Sequence, residues 1–213
     1  MSTPVDFPVC LRLEGRRVLL VGAGTIAEER SRQLVEAGAR LRVVAPVVGA
    51  SIRQLADTGR LELLERAWRS GDTRGQELVF VATDDSRVSE AVAAEARASG
   101  VWLNTADVPE LCDFTLPSVG RRGPIVVAVS TSGQAPALAR LLRQRFLEQV
   151  LPGHVRLARL MGWLRRRLPQ GPARMRLLKD LVEGEAGELL VRGRSREAWV
   201  RVRAALETFG EKK

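Results

Sequence analysis

The sequence predicts an α/β protein: a Rossmann-like parallel sheet, then a short strand pair and a helical C-terminal region. Three observations carry that reading. Residues 18–27 run an apolar strand, Val-Leu-Leu-Val, straight into a G-x-G-x-x-A turn at Gly22, Gly24 and Ala27. Strand-like and helix-like segments then alternate as far as residue 104. From Pro136 onward the apolar residues recur at helical spacing.

The first strand spans 17–21. Gly22 permits the tight turn, Gly24 lets backbone approach a pyrophosphate, and the small Ala27 lets the next helix pack close. That helix spans 25–37, carries Leu34, Val35 and Ala37 among charged residues, and closes at Gly38. Its unpaired first-turn N–H groups and its dipole favour an anion at the amino end. A strand at 41–45, a helix at 49–57 and strands at 61–65 and 78–82 follow. A helix at 86–98 ends at Gly100 and leads into a last strand at 101–104. This βαβαβ order requires parallel pairing with right-handed crossovers. The runs 114–119 and 125–130 are strand-like, around a turn signal at Gly120-Arg121-Arg122-Gly123-Pro124. Helices are expected at 136–150, 154–168, 174–183 and 195–208, with breaks at Pro152-Gly153 and between Pro169 and Pro172.

Composition limits the class. The chain has 213 residues, 45% hydrophobic and 28% charged, enough for a real core. No run approaches the roughly 18 apolar residues of a membrane span, so no membrane partner is expected. Residues 1–8 lack a basic stretch followed by an apolar one, so no secretory signal is expected. Two cysteines, Cys10 and Cys112, make neither a disulfide framework nor a metal spacing, and a reduced, cytoplasmic protein is expected. A single histidine, His154, excludes His-rich metal sites and most Ser-His-Asp schemes. It follows Pro-Gly at a helix start, where a capping or surface role is favoured.

The net charge of +9 is unevenly placed. Residues 1–136 hold 16 Arg against 17 acids; residues 137–213 hold 18 Lys+Arg against 8. A C-terminal third carrying the whole excess implies an anionic partner. Nucleic acid is disfavoured, because aromatics are only 4% and no basic run interleaves with them.

Candidate site residues cluster where strands end. The second strand ends Ala45-Pro46-Val47, with no acid for ribose hydroxyls and no arginine for a 2′-phosphate, so backbone must serve there. Thr83 and Asp84 end the fourth strand and point at a cofactor cleft; Asp85 suits an N-cap better. Asn104-Thr105-Ala106-Asp107 ends the fifth. Asp107 reads equally as a base or as an Asx-turn residue before Pro109. Ser130, Thr131 and Ser132 before Gly133 read either as ligands for a carboxylate or phosphate or as a helix cap. Arg140 lies on the helix that follows. Cys112 reads as an inert small hydrophobe.

Taken together these segments resemble the precorrin-2 dehydrogenase family, which forms the N-terminal part of siroheme synthase. The residues that carry the resemblance are Phe7-Pro8, Leu11 to Arg16, Val-Gly-Ala-Gly-Thr-Ile-Ala, Val-Val-Ala-Pro, Ala82-Thr-Asp-Asp, Asn104-Thr-Ala-Asp-Val-Pro, Phe114-Thr-Leu-Pro-Ser, Val127-Ala-Val-Ser-Thr-Ser-Gly and Pro136 to Arg143. The resemblance implies NAD as cofactor and NAD-dependent oxidation of precorrin-2 to sirohydrochlorin. It implies a homodimer, with 1–113 as NAD-binding domain, 114–150 as dimerisation segment and 151–213 as helical domain. Some members also insert Fe²⁺ to give siroheme. The family's functional aspartate falls on Asp107. Its cofactor contacts fall around Gly22, Gly24, Thr25 and Ile26, at Pro46 and Val47, and near Thr83. Ala45, Asp84 and Thr105 complete the candidate cofactor residues, and Ser130, Thr131, Ser132 and Arg140 are the candidate substrate contacts. The chain departs from the family at Ala23, where a third glycine is common, at Glu29-Arg30, and at Thr131, which is serine in some members. The methyltransferase domain fused in some relatives is not expected within these residues. A different class of function, an NAD-binding sensor without turnover, is opposed by the second polar cluster around Asp107 and Ser130 to Ser132.

Overall fold

A computed structural model describes residues 6–211. The chain divides into two compact units, one running through Thr115 and the other starting at Leu116.

In the first unit, β1 (Arg17–Val21), β2 (Arg40–Val44), β3 (Glu62–Leu64), β4 (Leu78–Val81) and β5 (Trp102–Thr105) form a parallel sheet in the order β3-β2-β1-β4-β5. Helices α1 (Thr25–Glu36), α2 (Ala50–Asp57) and α3 (Ser86–Ala98) make the crossovers. Val18, Leu19, Leu20 and Val79 are wholly buried, because a parallel sheet covered on both faces needs continuous apolar runs rather than alternation. Leu20 and Phe80 pack with Ala27, Leu34 and Ile52 on the α1–α2 face. Leu19, Val79 and Leu103 pack with Val92 and Ala96 of α3 on the other.

Carboxylates tie the loops down. Arg66 and Asp72 form a bidentate pair at 2.8 and 2.7 Å, and the guanidinium holds the Asp72 carboxyl below its usual range. Burial pushes Glu95 up, but hydrogen bonds from Thr73, Gly71 and Ser70 outweigh it and leave the carboxyl lowered.

In the second unit, β6 (Ser118–Arg122) and β7 (Ile125–Val129) form an antiparallel hairpin. The strand-like run expected from residue 114 becomes regular only at Ser118. Gly120 to Arg122, expected in the turn, belong to β6, and Gly123 (φ 58) with Pro124 makes a two-residue turn. Helix α4 (Pro136–Gln149) packs on the hairpin where Gly120 has no side chain. A Cβ there would lie 2.9 Å from both Arg143 and Leu147. Then come α5 (Pro152–Arg167), α6 (Pro172–Glu183), α7 (Glu185–Val191) and α8 (Ser195–Glu211). The seven-residue α7 was not expected from the sequence. Gly184 and Gly187 obscure its periodicity, yet Ala186, Leu189 and Leu190 are buried. His154 caps α5: its Nδ1 accepts from the Leu151 N–H at 3.0 Å, as a helix-start histidine should.

Candidate functional site

Sheet register builds the site. Val44, Val21, Val81 and Thr105 are side by side across β2, β1, β4 and β5. The residues just beyond them therefore line one edge. The Gly22 N–H donates to Val44 O (2.9 Å), Ala82 N–H to Val21 O (2.8 Å) and Ala106 N–H to Val81 O (2.8 Å). Gly22, Ala45, Ala82–Thr83 and Thr105–Asp107 thus share the carboxyl edge, with the strand order reversing between β1 and β4. That switch point is where open α/β sheets bind ligands.

At the first turn, Gly22 has φ +110, and a Cβ on it would meet Ala82 O at 2.0 Å. Only glycine lets β1 pass so close to the end of β4. A Cβ on Gly24 would meet nothing within 4 Å, so the space in front of it is open. Gly24 is the N-cap of α1 and no side chain accepts from the first turn.

The start of α3 on this edge differs. Asp85 caps α3, its Oδ1 accepting from Arg87 N–H at 2.9 Å and Val88 N–H at 3.3 Å. Glu28 places its carboxylate against Gly49, the residue before α2, at 2.3 Å from where a Cβ would stand. Of the three starts only that of α3 is capped by a side chain; α2, like α1, has none, and Glu28 itself belongs to the first turn of α1. The start of α1 joins N–H groups that no side chain caps to the open space at Gly24, as an anion site requires.

The remaining expected cofactor residues sit around that edge. Thr25 and Ile26 are exposed in the first turn of α1, and Ile26 is 48% exposed although apolar. Ala45 is buried, while Pro46 and Val47 are exposed beyond it. Thr83 is half-buried, and its hydroxyl accepts from the Asp85 N–H at 3.3 Å. Asp84 is exposed. Thr105 is buried, and its Oγ1 has no hydrogen-bond partner.

Asp107 is exposed and adopts φ 59. Among the described residues, only Asp107 and Ser132 (φ 49) are non-glycines at positive φ. Such conformations cost energy and persist where the surroundings impose them, often at functional sites. The Cys112 thiol, expected to be inert, instead hydrogen-bonds the loop that carries Asp107. It accepts from Thr105 N–H at 3.2 Å and faces the carbonyls of Thr105 (3.2 Å) and Val108 (3.4 Å). No sequence pattern marks it, because its partners are backbone atoms.

In the second unit, Ser130 Oγ accepts from Ser132 N–H and Thr131 Oγ1 from Ala135 N–H, both at 3.1 Å. These two hydroxyls therefore shape the turn into α4, and Ser132 is exposed in it. Arg140 is exposed on α4. Helices α4 and α5 together carry eight arginines against the single acid Glu148. The ion pairs of this unit lie elsewhere: Lys179–Glu183, Arg192–Glu188, Arg194–Glu197 and Arg201–Glu185. The positive excess is thus concentrated on α4 and α5.

The parallel sheet, its switch point and the open α1 turn define a dinucleotide-binding protein of the Rossmann class. Residues 9–118 match the family model described as putative NAD(P)-binding, and residues 122–149 the one described as sirohaem biosynthesis protein central. The chain belongs to the family that the first of these models describes, putative NAD(P)-binding proteins. It is 40% identical over 199 residues to the siroheme synthase of Pseudomonas paraeruginosa (strain DSM 24068 / PA7), covering 91% of this chain and 43% of that protein. It is also 40% identical over 196 residues to the siroheme synthase of Methylococcus capsulatus (strain ATCC 33009 / NCIMB 11132 / Bath), covering 90% and 41%. The chain thus spans about two fifths of these relatives' length. A solved structure of SirC, precorrin-2 dehydrogenase, superposes with a TM-score of 0.77 at 25% identity, covering 96% of this chain and 99% of that one.

Proposed function

We propose that this chain oxidises precorrin-2 to sirohydrochlorin with NAD as hydride acceptor. The observation that carries the proposal is the placement of Asp107. It is a carboxylate in a left-handed conformation on the same edge as the open α1 turn, two strands away from it. Two strand spacings are roughly 10 Å. That is the scale on which a dinucleotide reaches from its pyrophosphate towards its nicotinamide.

The open space at Gly24 and the uncapped N–H groups of Thr25 and Ile26 fit a pyrophosphate. Backbone at Ala45 to Val47 would take the adenosine side, and Thr83, Asp84 and Thr105 the nicotinamide side. NAD supplies the hydride acceptor when bound. Oxidation removes a hydride and a proton, and the Asp107 carboxylate takes the proton. The exposed arginines of α4 and α5, Arg140 among them, attract the acetate and propionate groups of the tetrapyrrole, together with the Ser130–Ser132 turn. Iron insertion is the second activity we propose, with Fe²⁺ as a substrate. Asp107 would receive the pyrrole protons that the metal displaces.

We also propose a homodimer formed through 114–150, with 151–213 as a helical domain and 1–113 as the NAD-binding domain. The outer face of the hairpin exposes Val119 and Val126, and α4 exposes Leu138, Leu141 and Phe146. A two-stranded sheet gains stability by pairing further. Light scattering should give twice the 23.4 kDa chain mass, and a single-chain mass at micromolar concentration would overturn the dimer. Two free cysteines suit the reducing cytoplasm we propose as its compartment.

The decisive experiment is Asp107→Ala. Oxidation of precorrin-2 should fall by about 10²–10⁴-fold, while NAD affinity and melting stay near wild type. Turnover at the wild-type rate in the folded variant would remove Asp107 from the reaction. No turnover in the wild-type protein would instead favour the NAD-binding sensor.

A further inference from the structure

We propose that the Cys112 thiol is a positioning residue for Asp107, acting through the backbone on either side of it. The inference rests on the reading of Asp107 as the group that takes the proton.

β5 is an edge strand of the sheet, so the outward N–H and C=O groups of Leu103 and Thr105 have no neighbouring strand. The segment after Asp107 folds back to serve them. Asp113 serves Leu103 twice: its Oδ2 accepts from Leu103 N–H and its own N–H donates to Leu103 O, both at 2.8 Å. One step further along, Cys112 serves Thr105 in the same manner with a single atom. Its sulfur accepts from Thr105 N–H at 3.2 Å, and its S–H points at Thr105 O at 3.2 Å. The sulfur also lies 3.4 Å from Val108 O, so its one proton is shared between the two carbonyls, and Asn104 Nδ2 approaches the sulfur at 3.6 Å.

Thr105 and Val108 bracket the dipeptide Ala106-Asp107. One sulfur therefore pins both ends of the two residues that must carry the turn. The Ala106 N–H is held from the other side by Val81 O at 2.8 Å. Asp107 itself has φ 59, a conformation a non-glycine leaves when its neighbours are released. A thiol is a weak donor and a weak acceptor, but it is the one short side chain here that reaches three backbone groups. Releasing it would let Asp107 relax towards negative φ and swing its carboxylate away from the edge. A misplacement near 1 Å costs roughly a hundredfold in rate.

The test compares Cys112→Val, of similar size but without hydrogen bonds, with Cys112→Ser, which keeps a donor and an acceptor. In Cys112→Val, amide exchange across 105–111 should quicken by at least about tenfold. Its kcat for precorrin-2 should fall by about 10–100-fold, with KM and NAD affinity within about twofold, and the acid limb of the kcat–pH profile should move. Cys112→Ser should recover most of the rate. A merely structural cysteine would lower the melting temperature but leave kcat per folded molecule and the pH profile where they are, and that result overturns the proposal. So does unchanged exchange across 105–111. If Cys112→Val does not fold, the wild-type Thr105 amide decides: exchange at the rate of an unbonded amide overturns the clip. Failure of the underlying reading looks different. In that case Asp107→Ala leaves turnover intact while Cys112→Val still loosens the loop.

Discussion

The two units bury their residues in different ways, and the difference sets what each presents to a ligand. The sheet of the first unit is covered on both faces, so Val18, Leu19 and Leu20 retain no exposure. What it offers to a ligand is mostly backbone: the turn at Gly22–Gly24, the open start of α1 and the loop at Ala45–Val47. The second unit has a thin hairpin with α4 on one face only, and Val119 keeps 45% of its surface exposed. It presents side chains instead, the arginines of α4 and α5 and an apolar strip. A pyrophosphate common to many reactions suits recognition by backbone, since N–H groups at fixed positions cannot be lost by side-chain substitution. A large substrate fringed with carboxylates suits a field of flexible cations.

Gly22→Ala attacks the backbone side of this comparison most severely. The added Cβ would stand 2.0 Å from Ala82 O at φ +110, and no flexible side chain can move to relieve it. A loss of about 3 kcal/mol in stability is expected, read by denaturant unfolding, together with loss of NAD binding. An unchanged midpoint would mean that β1 and β4 do not approach as described. Gly24→Asp separates binding from folding, because its Cβ meets nothing within 4 Å. The fold should persist while NAD affinity drops at least tenfold, ~1.4 kcal/mol, from an acid placed at the pyrophosphate. Titration of the folded variant at wild-type affinity would move the cofactor off this turn.

The smallest effect belongs to the side-chain unit. Raising salt should increase the KM for precorrin-2 by roughly threefold, because exposed charges are screened beyond about 8 Å at physiological ionic strength. Replacing Arg140 and Arg145 with Gln should flatten that dependence. A KM that ignores salt in the wild type would make these arginines ordinary helix surface. Some of the basic residues already have structural work: Arg174 donates to the carbonyls of Arg165 (2.9 Å) and Leu168 (3.1 Å) at the end of α5. Arg167 stacks over Trp163 at 4.4 Å.

Most of the first unit was legible in the sequence, because local rules govern it. The G-x-G-x-x-A turn between two apolar runs dictates strand, turn and helix within a dozen residues, and the alternation of elements dictates parallel pairing. Asp85 as a cap and His154 at a helix start were legible for the same reason: a cap acts within its own turn. The second unit was read less well. Helix α7 is short and interrupted by glycine, and the start of β6 depends on a partner strand that sequence position alone does not place.

By itself, then, the sequence determined the class of the protein, the glycine turn after the first strand and the strand ends that share its edge. Each of these follows from residue types a few positions apart. Only the tertiary structure decided how closely β1 passes the end of β4, since a Cβ on Gly22 would stand 2.0 Å from Ala82 O across 60 positions of chain. It also decided that Asp107 is held in a left-handed conformation beside Cys112, because a sulfur bonded to backbone leaves no trace in the order of residues.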